Sequence, residues 1–208
     1  MKGKILTITY NVAKDFLLPR HYSGRTPSIS RAFGWYIDGE LSAVCTFGKP
    51  ASNSLCKGVC GEEFSPRVYE LNRLCRVDSL KEQLSAFVSA CLRRLSMDNL
   101  IIVSYSDTAM GHNGYIYQAC NFIYTGQTKR RTDKYTEGNK HSRHYKDSDQ
   151  VGLRKVRSAK HRYIFFAMYD KKLKKRAKKA LNYPIEGYPK GDNENYILGE
   201  FLKPEVIG

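Results

Sequence analysis

The stretch Val103 to Gly126, VSYSDTAMGHNGYIYQACNFIYTG, constrains the fold of this chain most tightly. Leu100 to Val103 is an apolar run suited to a sheet buried on both faces. It frays into Ser104, Tyr105, Ser106 and Asp107, then restarts as a short helix near Tyr115–Cys120 and a strand over Phe122–Gln127. Hydroxyls, a carboxylate and the imidazole of His112 therefore gather at a strand tip, where α/β proteins commonly place their chemistry. Gly111 and Gly114 allow close backbone approach at that point.

Around this segment the chain spells out alternating elements. Lys4–Thr9 reads as a first strand and Asn11–Leu18 as a helical turn stopped by Pro19. FGWYIDGELSAVCTFG, Phe33–Gly48, is a hairpin whose Asp38-Gly39 pair favours a type I′ turn. Lys49–Ser65, rich in Gly, Ser, Asn and Lys, reads as loop, and Arg67–Val77 as a strand. In a regular strand Glu70 and Asn72 share one face and Arg73 points to the other. Leu80, Leu84, Phe87, Val88, Cys91, Leu92 and Leu95 recur at helical spacing, with Asp78 or Ser79 able to cap that helix. A strand over Asn99–Tyr105 follows. His161–Tyr169 returns to the sheet after an aperiodic insertion, Lys129–Lys160, and KKLKKRAKKALNYP forms a basic helix ending before Pro184. The last 25 residues read as irregular.

The formal charge of +15 is concentrated rather than spread. Residues 129–179 hold 19 Lys and Arg against 5 Asp and Glu, leaving 16 and 15 elsewhere. Such a surplus fits a polyanionic partner, because counterion release dominates nucleic-acid affinity. Lys129, Arg130, Arg131, Lys140, Arg143, Lys146, Arg154, Lys155 and Arg157 are the expected DNA contacts, with His141, His144 and His161 interleaved among them. A solvated basic tail is the plainer alternative. No window offers the roughly 20 apolar residues of a membrane-spanning helix, and the N-terminus is too charged for a signal-peptide core, so a cytoplasmic protein is expected. The six cysteines lie in apolar segments and read as reduced core residues. Cys56 and Cys60 have metal-compatible spacing but no second close pair, so no metal site is assigned.

The element order is that of the GNAT acyltransferase fold: an α/β (α+β) arrangement with a mixed, mostly antiparallel central sheet flanked by helices. A basic insertion precedes the last strand, and a basic C-terminal helix follows it. Residues 1–170 would form the catalytic domain, with 129–160 inserted for DNA contact, and 171–208 the helix and tail. HYSGR at residue 21, YELNRLCRVD at 69–78, FVSACLRRL, and SYSDTAMGHNGYIYQACNFIYTG together resemble the Mom family of phage DNA-modification proteins, over roughly residues 18–170. That resemblance implies an enzyme that places an acetamido group on the exocyclic amine of adenine in duplex DNA, protecting phage DNA from restriction in the host bacterial cytoplasm. It implies His21, Tyr22, Arg73, Asp107 and Tyr117 as functional residues, with Ser104 and Ser106 behind them. Arg73 and Ser79 would face the donor. The strand–helix junction CRVDSLKEQLS lacks the glycines of a pyrophosphate cradle and carries Asp78 and Glu82, which argues against conventional acetyl-CoA binding. An aminoacyl conjugate or another CoA derivative stays open as donor.

Adenine's amine is a weak nucleophile and is stacked inside the duplex, so the base must be extruded onto an aromatic surface. Trp35, Tyr36, Tyr105 and Tyr115, together with Tyr117, supply such surfaces. Asp107 would accept a hydrogen bond from the amine, Tyr117 act as acid or position the donor, His21 relay a proton, and Arg73 hold an anionic or carbonyl group of the donor. Each has a plainer reading. Asp107 can cap the next helix, Arg73 can pair with Glu70, His21 can sit in solvent, and Tyr117 can be core. His and Asp together also suit iron or zinc. An N-acyltransferase acting on tRNA, a ribosomal protein or a small amine would keep the same strand tip, whereas a non-enzymatic DNA-binding protein would not need these groups to converge.

Overall fold

The computed structural model describes residues 2–77, 80, 83–135, 152–192, 199–200, 203 and 205–207. Seven strands form one sheet in the order β1-β2-β3-β4-β5-β9-β6: β1 (Lys4–Thr7), β2 (Arg31–Ile37), β3 (Glu40–Gly48), β4 (Val68–Arg76), β5 (Leu100–Asp107), β6 (Ile123–Gln127) and β9 (Lys160–Ala167). All neighbours run antiparallel except β4 and β5. The β2–β3 hairpin turns at Asp38 and Gly39, both at positive φ (50° and 89°), as the Asp-Gly pair requires. A second sheet, β10-β8-β7, joins β7 (Arg131–Lys134), β8 (Arg154–Arg157) and β10 (Val206–Ile207). The basic insertion, expected to be aperiodic, therefore carries strands at both ends, and two residues of the C-terminal tail pair with it.

Two faces of the large sheet are covered differently. On one, α3 (Leu84–Leu95) and α4 (Tyr115–Ala119) pack over Phe33, Trp35, Cys45, Phe47 and Ile102. Six apolar side chains of α3 are buried, each stabilising the fold by about 1.5–3 kcal/mol if fully removed from water. The helix starts at Leu84 rather than Leu80, and the expected caps Asp78 and Ser79 lie outside the described residues. On the other face α1 (Tyr10–Leu17) covers Ala32, Val44 and Cys75, while α2 (Asn53–Phe64) and α5 (Lys171–Lys179) cover Val68, Ile101, Val103 and Ile164.

Helix α2 corrects the loop expected over Lys49–Ser65. Ser52 caps it by accepting from Leu55 N, and Cys56, Val59, Cys60 and Phe64 pack onto the sheet despite a break at Gly61. Burial of that stripe outweighs the poor helix propensity of its glycines. All six cysteines are buried and outside any disulfide, Cys60 donating to Ala177 O. Among the described residues no helix is long and apolar enough to cross a membrane.

Candidate active site

The parallel ladder between β4 and β5 runs from Val68↔Ile101 to Leu71↔Ser104 and ends there. Beyond that rung β4 stays with β3 and β5 stays with β9, so the two strands diverge and open the middle of the sheet. A bulge at the point of divergence shifts the β3–β4 register: Phe47 pairs with Leu71, yet Thr46 pairs with Arg73. Asn72 is the extra residue, pinned by Thr46 Oγ1, which donates to its Oδ1 (2.7 Å), and by its own Nδ2, which donates to Ser28 O (2.8 Å). The strand is therefore irregular, and Glu70 and Arg73 share a face instead of pointing apart.

A cleft of about 1520 Å³ fills this opening. Its walls are the His21–Ser28 loop, the first turn of α2, β4 from Glu70 to Arg76, β5 from Tyr105 to Asp107, α4, and the β7–β8 arm. Among the described residues twelve Lys and Arg side chains line it against three carboxylates, Glu70, Asp107 and Glu205.

His21 is held by the end of α1, its N–H donating to Leu17 O, and its imidazole stacks on Tyr22 at 4.3 Å. The Ser23 backbone N–H donates to His21 Nδ1 (3.2 Å), so the neutral ring carries its proton on Nε2. Burial, with Arg73 and His112 nearby, holds the imidazole well below its ordinary value, so it is uncharged at neutral pH. Tyr22 meets His112 edge-on at 6.0 Å, and burial together with Asp107 pushes its hydroxyl up to about 12.

Asp107 does what an acid at a strand end does structurally: it caps the next turn, Oδ1 accepting from Ala109 N (3.1 Å) and Ser158 Oγ. Its Oδ2 pairs with the ammonium of Lys160, the residue opposite it on β9. Three hydrogen bonds use three of the roughly four lone-pair positions of a carboxylate, leaving one on Oδ2. Tyr117 packs at 5.3 Å from both Phe122 and Tyr163, and burial pushes its ionisation up. Ser104 donates to Leu71 O and lies beneath the cleft. Gly114, at φ 72°, starts α4 where any Cβ would fall 2.4 Å from the Tyr163 ring. Arg73 donates to Asn72 O (2.6 Å) and Arg25 O (3.4 Å). Its Nε, like Ser106 Oγ, is buried without a partner. Orphaned polar atoms on a cleft wall suit a ligand that supplies the missing hydrogen bonds.

Several expected residues lie elsewhere. Trp35 is fully buried, stacked on Phe87 of α3 with its Nε1 donating to Lys2 O, and cannot face a base. Tyr36, near the β2–β3 turn, is outside the cleft. Tyr105 lines it, and Tyr115 stands exposed at its mouth. His161 is not a phosphate contact: it is buried with Nδ1 bonded to Tyr124 Oη (2.9 Å). Lys129, Arg130, Arg131, Lys155 and Arg157 line the cleft, whereas Arg154 is on β8 and bonds Thr132. Ser79, Lys140, Arg143, Lys146, His141 and His144 lie outside the described residues. Among the described residues no three His, Cys, Asp or Glu side chains group to hold a metal. Missed in the sequence were Lys160, whose only signal was its place opposite Asp107, and Glu70, Arg162 and Tyr183, all on the cleft wall.

The architecture is similar to that of an N-acetyltransferase from Staphylococcus aureus Mu50, with TM-score 0.50 and 9% identity over 80% of this chain and 99% of that one. The ribosomal-protein-S18-alanine N-acetyltransferase from Escherichia coli gives TM-score 0.47 and 8% identity over 80% and 94% of the two chains. Among curated proteins none matches the sequence. A family model does match it, over residues 3–190, nearly the whole length that carries the sheet, the cleft and α5. This chain, a GNAT-like fold opened by a cationic cleft, belongs to the Mom protein family of DNA-adenine-modifying transferases.

Proposed function

We propose that the chain transfers an acetamido group to the exocyclic amine of adenine in double-stranded DNA, with the base extruded into the cleft between β4 and β5, and so protects phage DNA from restriction. The observation that carries this reading is a single cleft uniting His21, Tyr22, Arg73, Asp107 and Tyr117, floored by orphaned polar atoms and rimmed by cations.

The remaining Oδ2 lone pair of Asp107 accepts an N–H of the target amine and orients it. The phenol of Tyr117, kept protonated by burial, positions the donor with a hydrogen bond. His21 relays the proton that the amine loses to the departing group of the donor: Ser23 Oγ, 3.0 Å from Nδ1, passes its own proton to the ring and takes the incoming one, while the Nε2 proton goes to the departing group. Arg73 Nε meets an anionic or carbonyl group of the donor, with Ser79, outside the described residues, the second residue assigned to it. The donor these residues would take is an aminoacyl conjugate or a CoA derivative other than acetyl-CoA. The duplex backbone rests on Lys129, Arg130, Arg131, Lys155 and Arg157, and on Arg154, Lys140, Arg143 and Lys146 farther along the insertion.

A double dissociation tests the division of labour. Asp107→Ala should abolish modification while changing duplex affinity by less than about threefold. Neutralising Lys129, Arg131 and Lys155 should weaken binding to all duplexes alike and flatten its salt dependence by roughly one unit of slope per lost phosphate contact. Equal loss of both activities in Asp107→Ala would make that residue structural only. Unchanged DNA affinity in the arm variant would remove the arm from the interface.

A further inference from the structure

Glu70 has no part in the transfer just described, yet it stands half-buried on the cleft wall. It stands on the rung Glu70↔Val103, the last but one before the strands part. On the same face, one residue pair farther out along β5, is Tyr105, and directly across from Tyr105 on β9 is Arg162. Arg162 is fixed by two hydrogen bonds to Thr125, from Nε to Oγ1 (2.9 Å) and from Nη2 to the backbone carbonyl (2.8 Å). Its guanidinium lies 3.4 Å from the centre of the Tyr183 ring, which it holds over the cleft. Glu70 and Tyr183 are both close enough to Tyr105 to oppose its ionisation. Among the described residues no hydrogen bond or ion pair engages the Glu70 carboxyl, which burial pushes up and Arg73 and Lys160 pull down.

Two aromatic rings beside a carboxyl open to the cleft have the chemistry of a nucleobase slot. We propose that the extruded adenine stacks on Tyr105 and Tyr183 with its 6-position toward Glu70, whose carboxyl oxygen accepts one N–H of the exocyclic amine and so selects the base. This rests on the adenine-transfer reading above and names the residue that reads the base. The amine has two hydrogens, one for Glu70 and one for Asp107. Guanine and thymine present a carbonyl oxygen where adenine presents its amine, so Glu70 repels them. Cytosine offers an amine but a smaller ring for the two tyrosines. A buried polar group left unpaired by the wrong base discriminates far more strongly than a change in apolar size.

The test uses duplexes carrying, at one position that the wild-type enzyme modifies, either adenine or hypoxanthine, which has a carbonyl at the 6-position, each opposite its own complement. Wild type should bind the adenine duplex at least about tenfold more tightly. Glu70→Gln, whose amide can accept from the amine or turn to donate to the carbonyl, should lower that ratio by admitting hypoxanthine. Glu70→Ala and the space-filling Glu70→Met should lower it at least about threefold, leaving the share that Asp107 supplies. Tyr183→Ala should weaken both duplexes together, by roughly 5- to 100-fold, as expected for one lost stacking partner. A ratio equal to that of wild type in a folded Glu70→Ala or Glu70→Met protein overturns the assignment of Glu70. Failure of wild type to modify adenine in any duplex would instead overturn the transfer reading itself.

Discussion

Asp107 shows how one side chain serves the fold and the site together. Burial alone would raise its carboxyl, but the Lys160 ammonium, with Ser158 and Ala109 N–H, outweighs burial and holds it below the ordinary carboxylate range. A folded pKa below the unfolded value of about 4 means that the pairing stabilises above that value and is lost as pH falls through the folded one. Asp107→Asn should therefore be about 1–3 kcal/mol less stable than wild type at pH 7, with the difference shrinking as the pH approaches 3; urea titrations across that range would check it. A difference independent of pH would mean that cap geometry, not charge, carries the stability. Sequence alone offered Asp107 as either cap or reacting group, and the geometry realises the cap while leaving one lone pair for a ligand. Trp35 misled for a plain reason: an aromatic in a strand has a definite parity, but nothing local says which face carries α3. Glu70 was visible as a break in an apolar run, but its direction depends on a bulge.

At the level of elements, the strands and the apolar helices were legible because their periodicity is strong. The hairpin at Asp38-Gly39, β5, α4 and β9 all fall within a few residues of where the pattern puts them. Helix α2 was hidden by Gly58 and Gly61, since its stripe of Cys56, Val59, Cys60 and Phe64 gains stability only by docking on the sheet. The bulge in β4 was not legible, because it is fixed by tertiary hydrogen bonds from Asn72 to β3 and to the loop before β2. Asn72→Ala removes both. It should cost about 1–3 kcal/mol in thermal or denaturant unfolding and reduce modification more than the stability loss explains, because Glu70 and Arg73 lose their common aim. Full activity in Asn72→Ala would show that the bulge persists without its pins, or that the shared face is unimportant.

For the molecule as a whole, uneven charge was the most readable functional signal. The excess in residues 129–179 surrounds the opening of the sheet through the β7–β8 arm and continues on α5, where Leu173 and Ala177 turn inward and seven Lys and Arg occupy a helix of nine residues. In the proposed reading, long-range attraction of a duplex to this surface brings phosphates to the rim, while the interior offers aromatic rings and hydrogen-bonding groups suited to a single base. The central claim is thus chemical: adenine leaves this cleft heavier than it entered. Mass analysis of nucleosides from DNA of cells expressing the chain tests it most directly. The expected result is a deoxyadenosine species heavier by one acetamido group in wild type and absent in Asp107→Ala; deoxyadenosine of unchanged mass in both would contradict it.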